Sequence, residues 1–531
     1  MRLRSRCIVA GAALALLVGC VHRAETPDAP QYDLIVTGGE VYDGDGQLLD
    51  GVDIAIRDGK ISRVEPGLAG SVSSDLVLDA EGLVVAPGFI DPHTHGEDEL
   101  ATGDQVKQSN LPYIYQGVTT VVVGNDGFGF PALRDVAASH PAGTNYAFLS
   151  GFGEIRSSVM GAEDRPATAD ELTKMRSFVR RDMCLGALGF STSLRYVPQT
   201  FADTDEVAEL ASEAARFGGY YDTHMRDESD KPIGVLVALD EAIEIAQRAQ
   251  MPLHVSHIKA LGPATWGQSA DMIARIETAH ASGLEVTADQ YPWAASGTRI
   301  SRALVPGWAL DGGLEGLRER LKDAELRAQI KAGIIENIAR RGGADSLLIT
   351  APLHGIEIEV GNTLAQLADL YDLSPEEAAL SVLLKGDARL ASFNMSADDI
   401  AAFAEQDWVM TGSDGDSAHP RKYASFPKAF DDLVRKGGHD IGWFVRRSTG
   451  LTAKSIGLTD RGFLREGYAA DLVIFDPAKY QANANFSEPE LLSSGIEWLL
   501  VNGQITIGEG AHNGRLAGQL LRKNAPDGFC E

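Results

Sequence analysis

The chain has 531 residues, 44% of them hydrophobic, so it is long enough to bury a large core and to form about two to three domains. Its formal net charge is −28 at pH 7. This charge excludes nucleic acid as an expected partner, because binding phosphates requires a basic face. Acidity of this kind mainly favours solubility.

The N-terminus has the pattern of a targeting segment. Three arginines precede the apolar run Ile8–Val18, which is too short for a stable membrane span and suits the core of a signal peptide. The run ends in Leu17-Val18-Gly19-Cys20 and resembles a bacterial lipobox, in which Cys20 is lipidated; the alternative is an ordinary signal peptide with an incidental cysteine. The residue after Cys20 is Val21 and not Asp, which resembles lipoproteins sorted to the outer membrane rather than to the inner membrane. We therefore expect a signal peptide over 1–20 and a lipoprotein in the periplasm or outer membrane of a Gram-negative bacterium, touching the membrane only through its anchor.

A small β domain is predicted from both ends of the chain. Residues 21–31 are polar and form a tether, and residues 32–83 show short alternating strands broken by Gly and Asp. The same pattern of short strands recurs over 456–531, so the two segments are expected to form one composite β-sandwich domain. After Cys20 only Cys184 and Cys530 remain, and no disulfide framework is expected.

The middle of the chain, residues 84–455, alternates apolar strands with amphipathic helices, which is typical of parallel βα units. Eight strands close a TIM-like (β/α)8 barrel, an α/β fold. The eight candidates are Val84–Asp91, Gly117–Gly124, Asn145–Ser150, Ala187–Ser191, Gly219–His224, Pro252–His257, Gly283–Gln290 and Trp408–Ser413. An insertion at about 293–405, rich in helix formers, follows the seventh strand, and we expect it to cover the barrel mouth.

Metal-ligand residues recur at the ends of these strands. Two histidines spaced i, i+2 end the first strand, so their side chains point the same way. Each residue has a plain alternative: a histidine packed in the core, or an aspartate in a turn. Together they predict a site for one or two zinc-like ions at the carboxyl end of the barrel. The candidate ligands are His93, His95, Asp126, His224, His257 and Asp414.

Several motifs resemble a known family. Pro87-Gly88-Phe89-Ile90-Asp91-x-His93-x-His95, with Gly467-x-x-Ala470-Asp471-Leu472-Val473, is similar to the amidohydrolase superfamily. Gly117–Asn125, Thr223-His224-Met225-Arg226-x-Glu228, Ser256-His257-x-Lys259-Ala260, Asp289-Gln290-Tyr291-Pro292 and Gly412-Ser413-Asp414-Gly415 resemble the D-aminoacylases, the N-acyl-D-amino-acid deacylases. The resemblance extends from about Tyr32 to Arg522.

The resemblance implies roles for particular residues. It makes the four histidines metal ligands and Asp414 the catalytic acid/base, and it assigns the substrate carboxylate to Lys259, Tyr291 and Arg421. Such a carboxylate takes a proton from the attacking water and returns it to the leaving amine. The alternatives are exposed cations for Lys259 and Arg421 and a core aromatic for Tyr291. Tyr196, after the fourth strand, either borders the pocket or packs in the core.

One position departs from the family. The residue after Gly124-Asn125 is commonly a cysteine that ligates zinc, and here it is Asp126. A carboxylate is a harder ligand, which admits divalent metals other than zinc. The alternative is a turn residue before Gly127.

The sequence therefore predicts a metal-dependent enzyme that hydrolyses N-acyl-D-amino acids, small-molecule substrates, to a carboxylic acid and a D-amino acid. An alternative enzyme would cleave cyclic amides or dipeptides containing a D residue. An alternative of another class is an inactive surface lipoprotein that binds peptides or cell-wall fragments. The oligomeric state and the side-chain preference are not predicted.

Overall fold

The computed structural model describes residues 31–129 and 141–530. The predicted signal peptide, Cys20 and the tether up to residue 30 lie outside these ranges. Within them, no helix combines the length and apolar character that crossing a membrane requires.

The strands are, in chain order, β1 (Tyr32–Thr37), β2 (Glu40–Tyr42), β3 (Leu48–Leu49), β4 (Asp53–Arg57), β5 (Lys60–Glu65), β6 (Ser74–Asp79), β7 (Val84–Pro87), β8 (Phe89–Asp91), β9 (Val118–Val123), β10 (Asn145–Phe148), β11 (Ser150–Gly151), β12 (Gly189–Ser193), β13 (Tyr220–His224), β14 (Leu253–Val255), β15 (Val286–Gln290), β16 (Ala295–Arg299), β17 (Leu347–Leu353), β18 (Asp387–Phe393), β19 (Val409–Thr411), β20 (Leu472–Phe475), β21 (Ile496–Val501), β22 (Gln504–Gly508) and β23 (Ala511–His512).

The α-helices are α1 (Leu68–Ser71), α2 (Glu97–Ala101), α3 (Gln105–Gln108), α4 (Leu111–Ile114), α5 (Phe152–Met160), α6 (Ala169–Cys184), α7 (Thr204–Ala215), α8 (Val235–Ala249), α9 (Ser269–Ala281), α10 (Ile300–Leu304), α11 (Gly313–Arg320), α12 (Ala324–Arg340), α13 (Leu364–Tyr371), α14 (Pro375–Lys385), α15 (Ala397–Ala404), α16 (Arg421–Phe430), α17 (Ile441–Ser448) and α18 (Gly450–Ile456). Short 3-10 turns lie at Asn125–Gly127, Gln199–Phe201, Gly307–Leu310 and Ala344–Ser346, and a π-helical turn lies at Asp431–Lys436.

The predicted TIM-like barrel is confirmed. Parallel pairing runs in the order β8, β9, β10, and then from β11 through β12, β13, β14 and β15 to β19. A bridge between Thr94 and Gly415 closes the ring between its first and last strands. The β-branched strand β9 is buried at every position, as expected for a parallel strand covered on both faces.

The apolar run over 84–91 forms two strands and not one. β7 pairs with β20 of the small domain, whereas β8 pairs with β9 of the barrel. Gly88 separates them, and a β-carbon there would lie 2.2 Å from Oγ1 of Thr119. Only glycine therefore allows the chain to pass so close to β9 as it leaves one sheet for the other.

Both ends of the chain contribute to the small domain. One sheet has the order β5-β4-β1-β6 and the other β23-β22-β21-β20-β7-β2-β3, with a shared apolar core between them. Asp471 connects this domain to the barrel, because it accepts a hydrogen bond from Nδ2 of Asn145 at 3.0 Å and pairs with Arg461. This contact explains the aspartate of the C-terminal motif.

The segment between β15 and β19 contains a sheet that the sequence did not reveal. β16, β18 and β17 pair antiparallel, and with helices α10 to α14 they enclose a separate apolar core. The helix formers of this segment form helices α10 to α15.

No disulfide framework was expected, yet the two cysteines that follow Cys20 form a disulfide bond. Cys184, at the end of α6, is bonded to Cys530, and their Cα atoms lie 5.6 Å apart. The C-terminal segment reaches this position along the barrel, since Leu521 N donates to Tyr146 O and Lys523 N donates to Gly186 O. The bond joins residues 346 positions apart in the sequence. Sequence spacing alone did not show that they meet.

Candidate metal centre and active site

The six candidate metal ligands come from five barrel strands and converge at one end of the barrel. All lie at or just beyond the carboxyl end of a strand, where (β/α)8 enzymes build their active sites. Two follow β8 (His93 and His95), and one each follows or ends β9 (Asp126), β13 (His224), β14 (His257) and β19 (Asp414).

The Asp126 carboxylate lies at the centre of this cluster. Its Oδ1 is 3.6 Å from Nε2 of His93 and 3.6 Å from Nε2 of His257. Its Oδ2 is 3.7 Å from Nε2 of His95 and 3.7 Å from Nδ1 of His224. Oδ1 has no hydrogen-bond partner among the described residues. The carboxylate therefore faces the histidines, which favours the ligand role over the turn role.

The spacing of these atoms suits a small divalent ion. Ligands of tetrahedral zinc lie about 2.0–2.1 Å from the ion, and hence roughly 3.3 Å from one another. Nδ1 of His224 and Nε2 of His257 are 3.0 Å apart, and Nε2 of His95 and Oδ1 of Asp414 are 3.2 Å apart. His93 is fully buried, yet neither ring nitrogen has a hydrogen-bond partner in the described part of the chain. A bound ion would satisfy that buried imidazole.

Two buried carboxylates fix the ligand-bearing strands from behind. Asp91 accepts from His93 N at 3.3 Å and from Ser413 N at 3.1 Å, so it ties the first and last barrel strands together. Asp289 accepts from His257 N at 2.8 Å and interacts with Nε2 of His254 at 3.1 Å. Burial raises the pKa of Asp91 to about 7. Both residues lie within the motifs described above, but the sequence patterns did not indicate a role for either.

Three of the site residues have left-handed backbones. Asp126, His257 and Asp414 have φ values of 58°, 38° and 46°. Non-glycine residues rarely adopt this conformation, which costs of order 1–3 kcal/mol each and concentrates at functional sites. The fold therefore holds these side chains in positions that the local backbone disfavours.

The histidines are electrostatically unlike one another. Burial lowers the pKa of His93 to about 3 and that of His224 to about 4, which keeps both imidazoles neutral and able to bind metal. Burial also opposes charge on the other two, but the hydrogen bond to Asp414 raises the pKa of His95 to about 9, and Asp414 and Glu228 raise that of His257 to about 10. The carboxylates thus favour positive charge here, which a cation supplies.

Asp414 is shared between the histidines and a buried cation. Its Oδ2 lies 2.6 Å from Nη1 of Arg421. Burial would raise the pKa of Asp414, but Arg421 and His257 hold it well below its usual range. Gly297 makes room for the arginine, because a β-carbon there would lie 3.0 Å from Nη2 of Arg421. Asp414 is therefore ionised and able to accept a proton.

Lys259 is buried and held by polar neighbours. Its Nζ lies 2.6 Å from Oε1 of Glu228, 2.6 Å from Nδ1 of His257 and 2.8 Å from the carbonyl oxygen of His257. The ammonium donates to Glu228 and to the carbonyl oxygen of His257, whereas Nδ1 of a His257 that binds metal through Nε2 carries a proton and is not an acceptor. These two contacts favour a positioning role for Lys259. Glu228, which had no assigned role, also lies 3.5 Å from Nε2 of His224.

The two tyrosines of interest both lie against this centre. Tyr291 is buried, its hydroxyl has no hydrogen-bond partner among the described residues, and its ring lies 4.9 Å from the guanidinium carbon of Arg421. Burial raises the pKa of Tyr291 well above its usual value, so the hydroxyl remains a donor. The Tyr196 ring lies 5.2 Å from the ring of His224. Both line the cavity.

A polar cavity of about 310 Å³ opens above the cluster. Part of its wall comes from the insertion, through β16, α10, α12 and β18. The wall carries several arginines that sequence patterns did not single out, because they come from different segments of the chain. They are Arg195, Arg299, Arg302, Arg340, Arg341 and Arg389.

The chain is similar to known proteins over nearly its full length. Residues 76–307 match the model of the amidohydrolase family. The D-aminoacylase of Alcaligenes xylosoxydans xylosoxydans is 30% identical over 94% of this chain and 99% of the relative, and the N-acyl-D-aspartate deacylase of the same organism is 31% identical over 91% and 93%. A structure of N-acyl-D-glutamate deacylase from Bordetella bronchiseptica, complexed with zinc and a phosphonate inhibitor, has 29% identity and a TM-score of 0.78, covering 92% of this chain and 99% of that one.

Proposed function

This chain belongs to the D-aminoacylase family of amidohydrolases, and from that membership we propose that it hydrolyses N-acyl-D-amino acids to a carboxylic acid and a free D-amino acid. The observation that carries the proposal is the convergence of four imidazoles with the Asp126 and Asp414 carboxylates, at spacings of 3.0–3.8 Å. The names of the relatives support the D configuration.

The candidate ligands form three overlapping groups whose atoms lie close enough together to hold an ion. The groups are His93, His95 and Asp414; His93, Asp126 and His257; and His224, Glu228 and His257. We propose that they hold one or two zinc ions, while the Asp126 carboxylate also admits harder divalent metals. Bound zinc supplies a Lewis acid that polarises a carbonyl group and makes a water molecule acidic near neutral pH.

Asp414 performs the proton transfers in this proposal. Because Arg421 and His257 keep it ionised, its carboxylate accepts a proton from the attacking water and then donates it to the nitrogen of the leaving amine. The reaction consumes one water molecule, breaks the C–N bond, and leaves Asp414 ionised for the next cycle.

Arg421 and Tyr291 hold the α-carboxylate of the substrate. A guanidinium forms two parallel, charge-assisted hydrogen bonds to a carboxylate, and the Tyr291 hydroxyl adds a donor that has no partner within the described residues. Lys259 acts at one remove, because its contacts orient Glu228 and His257. The substrate is thereby oriented with its amide over the histidines.

Paired substrates test the proposal. Purified enzyme with measured metal content is given N-acetyl-D- and N-acetyl-L-leucine, methionine and glutamate, and the free amino acid is identified by mass spectrometry. We expect release from the D members of the set. Release from L members alone would overturn the proposed handedness. Turnover confined to cyclic amides or dipeptides would overturn the proposed reaction. Stoichiometric metal with no turnover would favour a binding protein.

We also propose that the protein is exported and anchored through Cys20. The disulfide between Cys184 and Cys530 supports export, because such bonds persist in oxidising compartments. Fractionation of cells that express wild type and Cys20→Ser tests the anchor. The wild type is expected in the membrane fraction and the variant in the soluble exported fraction. A variant that stays with the membrane after a salt wash would contradict the proposal.

A further inference from the structure

We propose that the cavity contains a second anion subsite, formed by Arg195, Arg299, Arg302 and Arg341, which binds a carboxylate of the substrate other than the α-carboxylate. We call these four residues the arginine cluster. The proposal rests on the proposed function and names its substrate class: N-acyl-amino acids that carry two negative charges.

The cluster is unusual in its lack of carboxylate partners. The other cations of the cavity wall are paired, as Arg340 is with Asp230 and Arg389 is with Asp416. No carboxylate oxygen of the described residues lies within 4.0 Å of a guanidinium nitrogen in the arginine cluster. In a chain of net charge −28, four unpaired arginines on one wall point to an anion supplied from outside.

The cluster lies one aromatic ring away from the metal centre. The guanidinium carbon of Arg302 is 4.9 Å from the centre of the Tyr196 ring, which is itself 5.2 Å from the ring of His224. The same carbon is 5.9 Å from the centre of the Phe128 ring, which is 5.8 Å from the ring of His95. A substrate whose amide lies over the histidines therefore reaches Arg302 with its side chain or its acyl group.

Mutual repulsion within the cluster supports the same conclusion. Burial, and then the charge of Arg195, lower the pKa of Arg341 to about 10. Burial, and then the charges of Arg302 and Arg389, lower the pKa of Arg299, while the carboxylates of Asp416 and Asp387 act in the opposite direction. Arg341 is held in place, since its Nε donates to Ala303 O and its Nη1 to Oγ of Ser392, both at 3.2 Å. Fixed like charges of this kind favour a bound carboxylate.

The arginine cluster is separate from the residue assigned to the α-carboxylate. Arg421 forms an ion pair with Asp414 and lies against the ring of Tyr291, whereas no arginine of the cluster forms an ion pair or a cation–π contact with either residue in the described part of the chain. Two carboxylates on one substrate would therefore bind to different guanidinium groups. The second can belong to the amino-acid side chain or to the acyl group, and substrates distinguish these sources.

Two substrate pairs, each differing only in one charge, provide the test. The first is N-acetyl-D-glutamate against N-acetyl-D-glutamine, and the second is N-succinyl-D-leucine against its succinamoyl analogue. We expect kcat/KM to favour the charged member of at least one pair by about tenfold or more, since charge-assisted bonds are the stronger ones. Preference in the first pair places the carboxylate on the side chain, and preference in the second places it on the acyl group.

Variants tie the preference to the cluster. Arg302→Gln and Arg341→Gln should each reduce the preference for the charged substrate by raising its KM, with little change in kcat for the neutral substrate. Arg302→Lys should keep part of the preference. Arg327→Gln is the matched control, because this arginine of the insertion pairs with Glu377 and does not line the cavity. Metal content and circular dichroism verify that each variant is folded.

The outcomes separate this inference from the proposed function. Equal kcat/KM within both pairs, or a preference that survives Arg302→Gln and Arg341→Gln unchanged, would overturn the second subsite while hydrolysis of the D substrates stands. Absence of hydrolysis with every N-acyl-D-amino acid would overturn the proposed function, and the inference with it.

Discussion

Nη1 of Arg421 lies 2.6 Å from Oδ2 of Asp414, so the residue that we expect to bind the substrate carboxylate is also the ion-pair partner of the residue that we expect to transfer the proton. A substrate carboxylate that binds to Arg421 offsets part of the charge that holds the pKa of Asp414 low. Substrate binding would thereby make Asp414 a better proton acceptor, which links recognition to chemistry through one pair of side chains.

The first prediction concerns Asp414. Asp414→Asn removes the proton acceptor and should lower kcat by about 100- to 10,000-fold, the usual contribution of a general acid/base. Asp416→Asn is the control, since Asp416 pairs with Arg389 near the same cavity. Kinetics and metal analysis of both variants check this expectation. If Asp414→Asn turned over within about threefold of wild type, the proton-transfer role would be wrong.

The second prediction separates two cations. Arg421→Gln should weaken substrates with a free α-carboxylate far more than the corresponding α-amides, because only the acids form the charge-assisted pair. Lys259→Gln should lower metal occupancy, since Lys259 contacts Glu228 and His257. It should also lower kcat by the same factor for acids and for amides. The measurement is KM and kcat on matched acids and amides. Similar discrimination by both variants would mean that Lys259 also binds the carboxylate.

The sequence predicted most of the barrel and the convergence of the candidate ligands, because both leave local signals. Buried β-branched runs mark the strands, and ligand-type residues follow them at the ends that share one face of the barrel. The structure brings His93, His95, Asp126, His224, His257 and Asp414 together as that reasoning expected.

What the sequence missed depends on contacts between distant residues. The transfer of the chain between sheets at Gly88 is set by Thr119, and the disulfide joins residues 346 positions apart. β16 and β18 pair across nearly a hundred residues, so neither strand is recognisable from its neighbours in the chain. The arginine cluster has the same character, because its members come from separate elements and share only the cavity wall.

The third prediction concerns Asp126. Asp126→Ala removes the carboxylate that faces all four histidines and should lower metal occupancy and activity together. Asp126→Cys should retain zinc and shift preference away from manganese, because thiolate is a softer donor. Metal content and metal preference are measured for the wild type and both variants. Unchanged occupancy in Asp126→Ala would make Asp126 a turn residue.

The fourth prediction concerns the disulfide. Cys184→Ser should lower the free energy of unfolding by about 2–4 kcal/mol, because the bond restricts the unfolded chain. Activity at moderate temperature should be kept, since α6 leads into the amino end of β12 and the metal centre lies at the carboxyl ends. Thermal unfolding and kinetics are measured for the variant, for the wild type, and for the wild type under reducing conditions. The reduced wild type should behave like the variant. A melting temperature unaffected by substitution and by reduction would contradict the prediction.

Metal dependence is the most direct test of the proposed hydrolysis. Enzyme stripped by a chelator and then titrated with zinc is assayed for release of the free amino acid from its best N-acyl-D substrate. We predict that the stripped enzyme releases none, and that release returns as one to two equivalents bind, with the His93→Asn variant as a control that fails to recover. Full turnover by enzyme shown to contain no metal would contradict the central claim.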